Sequence, residues 1–226
     1  MQAVILAAGK GIRLRPLTLK VPKPMVLLNG KPLLEYTLEK LPKGVDEIIL
    51  VIGYLGYKVK KYFGTSFSGK RIRYAVQKEQ LGTYHALRQA QKFLTDDFLI
   101  LMADDIYSRK DLVSLAKNKQ AVLARAVKSP SEKIGVCLIR NGNLSDIIEK
   151  EKGIKFKFAN CGAYKLDMGI FNEPIIYGPN REEWLSSMVG SLAKKNKIKV
   201  VRASKWFPIA TVDDLKRAGH YLIKDR

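Results

Sequence analysis

The densest chemistry in the sequence lies in LAAGKGIRLRPLTLKVPKPM, residues 6–25, where an apolar run meets Gly9 and Gly11 and then Arg13, Arg15 and Lys23 among prolines. Glycines tolerate positive φ and let successive backbone N–H groups converge on an anion, so this turn reads as a phosphate cradle. Lys23 stands between Pro22 and Pro24, whose rings lock φ and present the ammonium on stiff backbone. A charge fixed before a phosphate arrives needs no reorganisation during reaction, which is how phosphoryl-transfer sites gain most of their catalysis. The spacing is not GxxxxGK[ST], and Leu14 stands where the third glycine of a dinucleotide fingerprint belongs.

Two further strings carry chemical groups. LMADDIYS, residues 101–108, sets Asp104 and Asp105 at the end of an apolar run, where carboxylates suit a hard Mg2+ shared with substrate phosphates. In QKEQLGTYHAL, residues 77–87, the Gln77 amide offers a donor and an acceptor and can read a uracil, thymine or guanine edge. His85 and His220 fall on helical segments with no Ser or Cys partner in view and read as structural.

Together these strings resemble the signature of the sugar-phosphate nucleotidyltransferases, the NDP-sugar pyrophosphorylases, commonly written LAAGxGTRLxPLTxxxPKPL. The match runs through both glycines, Arg13, the PLT and the PKP, with Ile12 in place of the usual threonine. Downstream, QKEQLGTYHAL is similar to the family's QxxxxGTAxAL, and IIEKEKGIKFKFANCGAY to its sugar-phosphate segment. Read without the family, that last stretch is a charged hairpin.

The resemblance implies an Mg2+-dependent nucleotidyltransferase that joins a nucleoside triphosphate (UTP, dTTP or GTP) to a sugar 1-phosphate, releasing pyrophosphate. It implies Arg13, Lys23 and Asp104 as catalytic residues, with Asp104 the metal ligand and Asp105 secondary to it. Leu6, Ala8, Gly9, Gly11, Gln77, Gly82 and Thr83 are the implied nucleotide-binding residues. Glu149, Lys150, Asn160 and Gly162 are the implied sugar-phosphate-binding residues. Two positions depart from the family: Glu151 replaces a proline, and WFPIATVDDLKRA carries Pro208 where the second metal-binding aspartate belongs. Three resolutions stand open: Mg2+ held by Asp104 with phosphates and water, another acid such as Asp213, or a catalytically impaired nucleotide-sugar-binding paralogue of the same fold.

The elements that must position these residues are legible as alternating patterns. Apolar runs at 3–7, 47–52, 72–76, 98–103 and 121–127 read as strands. LLEYTLEKL, LGYKVKKYF and GTYHALRQAQKFL between the first four repeat apolar residues at helical spacing. Strands alternating with helices predict an α/β fold with a mostly parallel sheet covered on both faces and ligands at the strands' carboxyl ends. The resemblance makes this a Rossmann-like three-layer sandwich with a mostly parallel mixed central sheet, of the GT-A-like nucleotidyltransferase kind. After residue 130 short strands at GVCLIR and CGAYKL precede a predicted helix over 181–195, with Asn180 as its cap and Glu183 reaching back. A strand, IKVVRA, then leads to a final helix opened by Thr211 and Asp214 at capping-box spacing.

Composition bounds the rest. At 226 residues and 46% hydrophobic, the chain is read as one nucleotidyltransferase domain, residues 1–226, and with no hexapeptide repeat no C-terminal β-helix is expected. The formal charge of +20 favours phosphates, nucleic acid or anionic surfaces in general. Stretches such as YKVKKYF and KGIKFKF could stack and bind single strands, but the cations are scattered rather than gathered into one module, so no specific nucleic-acid function is expected. A metal-dependent glycosyltransferase would also use paired acids, but the PKP segment argues against it. No apolar run approaches the ~20 residues of a membrane helix, and no basic leader precedes the first strand. Cys137 and Cys161 show neither CxxC spacing nor a histidine cluster, which fits a reducing cytoplasm.

Overall fold

The computed structural model describes residues 1–127, 134–149 and 157–224. Its first half forms β1 (Gln2–Ala7), the short pair β2 (Leu27–Leu28) and β3 (Lys31–Pro32), β4 (Glu47–Ile52), β5 (Ser66–Phe67), β6 (Lys70–Val76) and β7 (Phe98–Met102). There follow β8 (Asp105–Tyr107), β9 (Ala121–Ala126), β10 (Val136–Arg140), β11 (Asn143–Ile148), β12 (Phe158–Leu166), β13 (Lys199–Arg202) and β14 (Trp206–Pro208). The helices are α1 (Leu33–Glu39), α2 (Gly56–Phe63), α3 (Thr83–Ala90), α4 (Arg109–Ala116), α5 (Leu185–Lys195) and α6 (Val212–Lys224).

Ten strands join one sheet in the order β10-β11-β13-β9-β12-β7-β1-β4-β6-β5. β1 is parallel to β4 and β7, β4 to β6, and β9 to β13, while β12 runs antiparallel between β7 and β9. The sheet is therefore mixed and mostly parallel in its centre, as expected. Both faces are covered. Val4, Leu6, Ile49 and Val51 pack with α3 and α5, whereas Ala3, Ile5, Ile48 and Leu50 pack with α1, α2 and α4. Burying each large apolar side chain contributes about 1.5–3 kcal/mol, and a strand covered on both faces is apolar along its whole length. EIILVI fits that rule after its acid, Glu47, which pairs with Arg71 and Arg73 at 3.1 and 2.7 Å.

A third, smaller core lies outside the sheet. Val26, Leu28, Leu33 and Tyr36 meet Ile106, Ile209 and Ala218 there, so the segment just after Lys23 packs under α6. α6 opens as its capping box predicts: the Asp214 N–H donates to Thr211 Oγ1 at 3.2 Å and the Thr211 N–H to Asp214 Oδ2 at 2.9 Å.

The predicted start of α5 is corrected. The helix begins at Leu185, not near 181, and Asn180 sits in the left-handed region with φ +58°. Tertiary pairing outcompetes the local box: the Glu183 N–H donates to Leu81 O at 2.7 Å, and Glu183 O accepts the Tyr84 N–H at 2.9 Å. The cap comes from elsewhere, because the Leu185 N–H donates to Thr83 Oγ1 at 2.9 Å. Among the described residues no helix is long and apolar enough to cross a membrane.

Candidate active site

The chain runs from β1 to β4 and β6 on one side and returns to place β7 on the other, so the strand order reverses between β1 and β7. Ligands of open α/β sheets bind at such a reversal, beyond the carboxyl ends of the strands. Here the loop after β1 carries Gly9 to Lys23, and the turn after β7 carries Asp104. The Ala103 N–H donates to Leu6 O at 3.1 Å and ties the two loops together. Lys23 Nζ forms an ion pair with Asp104, with the lysine side chain 13% and the aspartate 27% exposed.

Gly11 makes this loop possible. Its φ is +62°, and a Cβ there would meet Lys23 Cβ at 2.9 Å and Thr18 Cγ2 at 3.0 Å. Thr18 Oγ1 donates to Gly11 O at 2.8 Å and pins the turn from the other side. Gly9 departs from expectation, having no positive φ and open space where a Cβ would stand. Left-handed backbone is thus needed only at the second glycine. No hydrogen bond among the described residues uses the N–H of Gly9, Lys10 or Gly11, which leaves these amides to meet an anion.

Three cavities meet at the Lys23–Asp104 pair, which lines all of them. The first, about 330 Å³, is walled by Leu6, Ala8, Gly9, Gln77, Gly82 and Thr83. The second, about 530 Å³, is lined by Arg13, Glu149, Asn160 and Gly162, together with Thr83. The third, about 480 Å³, lies over Gly9, Gly11 and Arg13. Each has the size of an ordinary small-molecule site. The expected residues among those described are therefore brought together in two groups sharing the Lys23–Asp104 pair. Lys150 and Glu151 lie outside the described residues.

The side chains are held by identifiable contacts. The Gln77 amide nitrogen donates to Gly82 O at 3.0 Å, and His85 Nδ1 lies 3.0 Å from the same nitrogen. Gly82 has φ +105°, and a Cβ would meet Glu183 O at 2.3 Å, so only glycine lets segment 177–183 close this wall. Asn160 Nδ2 donates to Tyr164 Oη at 2.6 Å and its Oδ1 accepts the Gly162 N–H at 3.1 Å, which shapes the turn under the second cavity. Glu149 faces Gly135 so closely that a Cβ on Gly135 would stand 2.6 Å from Oε1.

The two aspartates have separated environments. Asp105 is buried, accepts Trp206 Nε1–H at 2.8 Å and lies 3.4 Å from Tyr107 Oη. Burial, then the neighbouring Asp104 carboxylate, push its pKa up to about 8, against the Trp206 hydrogen bond, the Lys23 ammonium and the Tyr107 hydroxyl. Asp105 is thus held by the protein with its pKa raised, whereas Asp104 lines all three cavities and Asp105 only the second. Pro208 lies opposite Asp105 in the β8–β14 pair. Asp213 does not line the three cavities, whereas its neighbour Asp214 lines the second and is held by Thr211 and Arg217. The described residues contain no cluster of three or more metal-binding side chains. Asp104, the acid common to all three cavities, still fits Mg2+, which uses one or two carboxylates and keeps several waters.

Sequence reasoning missed Gln80, Glu182 and Trp184, which line the first cavity, and Arg217 at the second. Trp184 Nε1 donates to Glu182 Oε2 at 2.8 Å, forming a wall from the segment read as helix. The signal of Glu182 and Trp184 was hidden because the capping-box pattern assigned them to α5.

A strand reversal with cations on one loop and an acid on the next defines an α/β protein with joined ligand-sized cavities at the carboxyl ends of its strands. The chain belongs to the nucleotidyl transferase family, whose model matches residues 2–224. It is 35% identical over 227 residues to the bifunctional protein GlmU of Methanocaldococcus jannaschii, covering 99% of this chain and 54% of that protein. It is 32% identical over 217 residues to the UTP–glucose-1-phosphate uridylyltransferase AglF of Haloferax volcanii, covering 91% and 89%. The crystal structure of a UDP-glucose pyrophosphorylase complexed with UDP-glucose has the same fold, with TM-score 0.85 and 23% identity over 100% of this chain and 99% of that one. The chain spans about half the length of the archaeal GlmU proteins it matches, 54% and 56% in two of them.

Proposed function

We propose that residues 1–226 act as one nucleotidyltransferase unit that joins a nucleoside triphosphate to a sugar 1-phosphate with Mg2+, releasing pyrophosphate. The observation that carries this reading is the Lys23–Asp104 pair, common to three joined cavities. The first cavity takes the base and ribose, the third the polyphosphate, and the second the sugar phosphate. An oxygen of the sugar 1-phosphate attacks the α-phosphorus; the bond between the α-phosphorus and the bridging oxygen breaks, and pyrophosphate departs. No general base is required, because the attacking phosphate is already ionised.

Both reactants are anions, so fixed cations must offset their repulsion and the charge of the transition state. Lys23 and Arg13 neutralise the triphosphate and its leaving group, and the free N–H groups of Gly9 to Gly11 receive its oxygens. Lys150 holds the acceptor phosphate, Glu149 orients the sugar, and Asn160 supports the Gly162 turn beneath it. Asp104 would hold Mg2+, which when bound supplies charge neutralisation on the phosphates. Leu6, Ala8, Gly82 and Thr83 enclose the base, which Gln77 reads. Because Gly82 O faces the Gln77 amide nitrogen, the amide oxygen is the acceptor offered to the imino N–H of uracil, thymine or guanine. The name of the Haloferax relative makes UTP with glucose 1-phosphate the first pair to test. Two free, buried cysteines and soluble anionic substrates support a cytoplasmic site of action.

The test is a matrix of triphosphates against sugar 1-phosphates with Mg2+, read by pyrophosphate release and by the mass of the nucleotide-sugar. At least one pair is expected to turn over. Triphosphate binding without pyrophosphate from any pair would overturn the reaction and leave the Pro208 binding paralogue in its place.

A further inference from the structure

We propose that His85 is a positioning residue that fixes which way Gln77 presents its amide, and through Gln77 selects the nucleobases that the first cavity accepts. The inference rests on the reading of that cavity as the base site.

Gln77 is 3% exposed and lines the cavity, so its orientation is set by protein contacts rather than by water. Its amide nitrogen has two neighbours, Gly82 O at 3.0 Å and His85 Nδ1 at 3.0 Å. A carbonyl oxygen can only accept, so the group facing Gly82 is the NH2. The second hydrogen of that NH2 then points to His85, and Nδ1 must carry its lone pair. This assigns His85 the Nε2–H tautomer. On the same helix, Gln89 Nε2 donates to the His85 carbonyl at 3.1 Å, while its 3.5 Å separation from His85 Nε2 is too long for a good hydrogen bond.

With both amide hydrogens consumed, the face of Gln77 toward the base is purely an acceptor. It suits the N3–H of uracil and thymine and the N1–H of guanine, and it opposes the ring-nitrogen lone pair of cytosine or adenine. Gly82 O alone fixes one hydrogen. His85 fixes the second, and without it the amide can rotate and offer an N–H to cytosine N3. A buried unpaired lone pair is costly, so the discrimination is carried by the hydrogen-bond pattern more than by cavity volume.

Binding of UTP, dTTP, GTP and CTP is measured by calorimetry with Mg2+ on the wild type, His85→Leu and His85→Asn. Leucine has similar bulk and no acceptor, whereas asparagine can place Oδ1 where histidine carries Nδ1. The wild type is expected to prefer at least one of UTP, dTTP and GTP over CTP. That preference should shrink about tenfold in His85→Leu, the scale of one hydrogen bond, and stay within about threefold in His85→Asn. Affinity ratios taken on one preparation do not change with its folded fraction, so instability does not imitate the effect; His85→Ala replaces His85→Leu should the latter not fold. An unchanged ratio in the leucine variant, or a wild type indifferent to CTP, would overturn the inference while leaving the proposed reaction standing. Failure of the wild type to bind any of the four would remove the base site and this inference together.

Discussion

Lys23 and Asp104 neutralise one another in a half-buried pair, and each is also the group proposed to act on an incoming phosphate or metal. The ammonium therefore occupies the carboxylate that a divalent cation would need, and must move toward phosphate oxygens when the metal arrives. Replacing Lys23 with Ala should lower kcat by about 10²-fold or more, the scale of losing one preorganised charge. The same variant should bind Mn2+ more tightly than the wild type in the absence of nucleotide, because the competing cation is gone. Metal titration by calorimetry, paired with single-turnover rates, separates the two effects; equal or weaker metal binding would show that Lys23 does not shield Asp104. The other acid of the DD pair has no such freedom. Asp105 is buried, accepting a hydrogen bond from Trp206 with Tyr107 beside it.

Gly82 joins two elements, since it begins α3 and lies against the backbone of Glu183 ahead of α5. A Gly82→Ala chain must relieve both a φ of +105° and a 2.3 Å contact with Glu183 O. The expected cost is about 2 kcal/mol in urea unfolding, together with a raised KM for the triphosphate as the wall carrying Glu182 and Trp184 retreats. Stability and KM both unchanged would mean that the wall does not depend on this contact. The sequence made α3, β1, β4 and β7 legible because their apolar periods were long and uninterrupted. The loop residues of the site were legible through type and spacing: Gly11, Arg13, Lys23, Asp104 and Gln77 all reach the cavities. The start of α5 was not legible, because its cap is the distant Thr83 and a local capping box imitated one. The β8–β14 pair was missed for a related reason, since its strands have three residues each and lie about a hundred positions apart, whereas β11 was missed because its acid and serine interrupt the apolar pattern of a strand paired mainly with its neighbour β10. Lys165 shows the same limit, a charge inside an apolar strand whose place is explained only by its pairing with Asp97.

Over the whole molecule, 41 basic against 21 acidic residues give a formal charge of +20 around a site proposed to take two anions. Such a field draws anions in from a distance, and salt screens it over about 10 Å at 0.1 M ionic strength. Raising NaCl should lower kcat/KM for the triphosphate several-fold while changing kcat little. Steady-state kinetics across a salt series tests this, and a salt-independent kcat/KM would confine the charge to a role away from the site. The small core under α6 has a consequence at this scale. Val26 and Leu28, just beyond Lys23, share it with Ile209 and Ala218, on the side where Ala210 and Arg217 border the second cavity. The proposed grip on one substrate and the proposed wall around the other are thus two ends of a single apolar joint. Loosening α6 alone would slacken the proline-flanked lysine across the cleft, so damage to the acceptor side would register first as a fault in handling the donor.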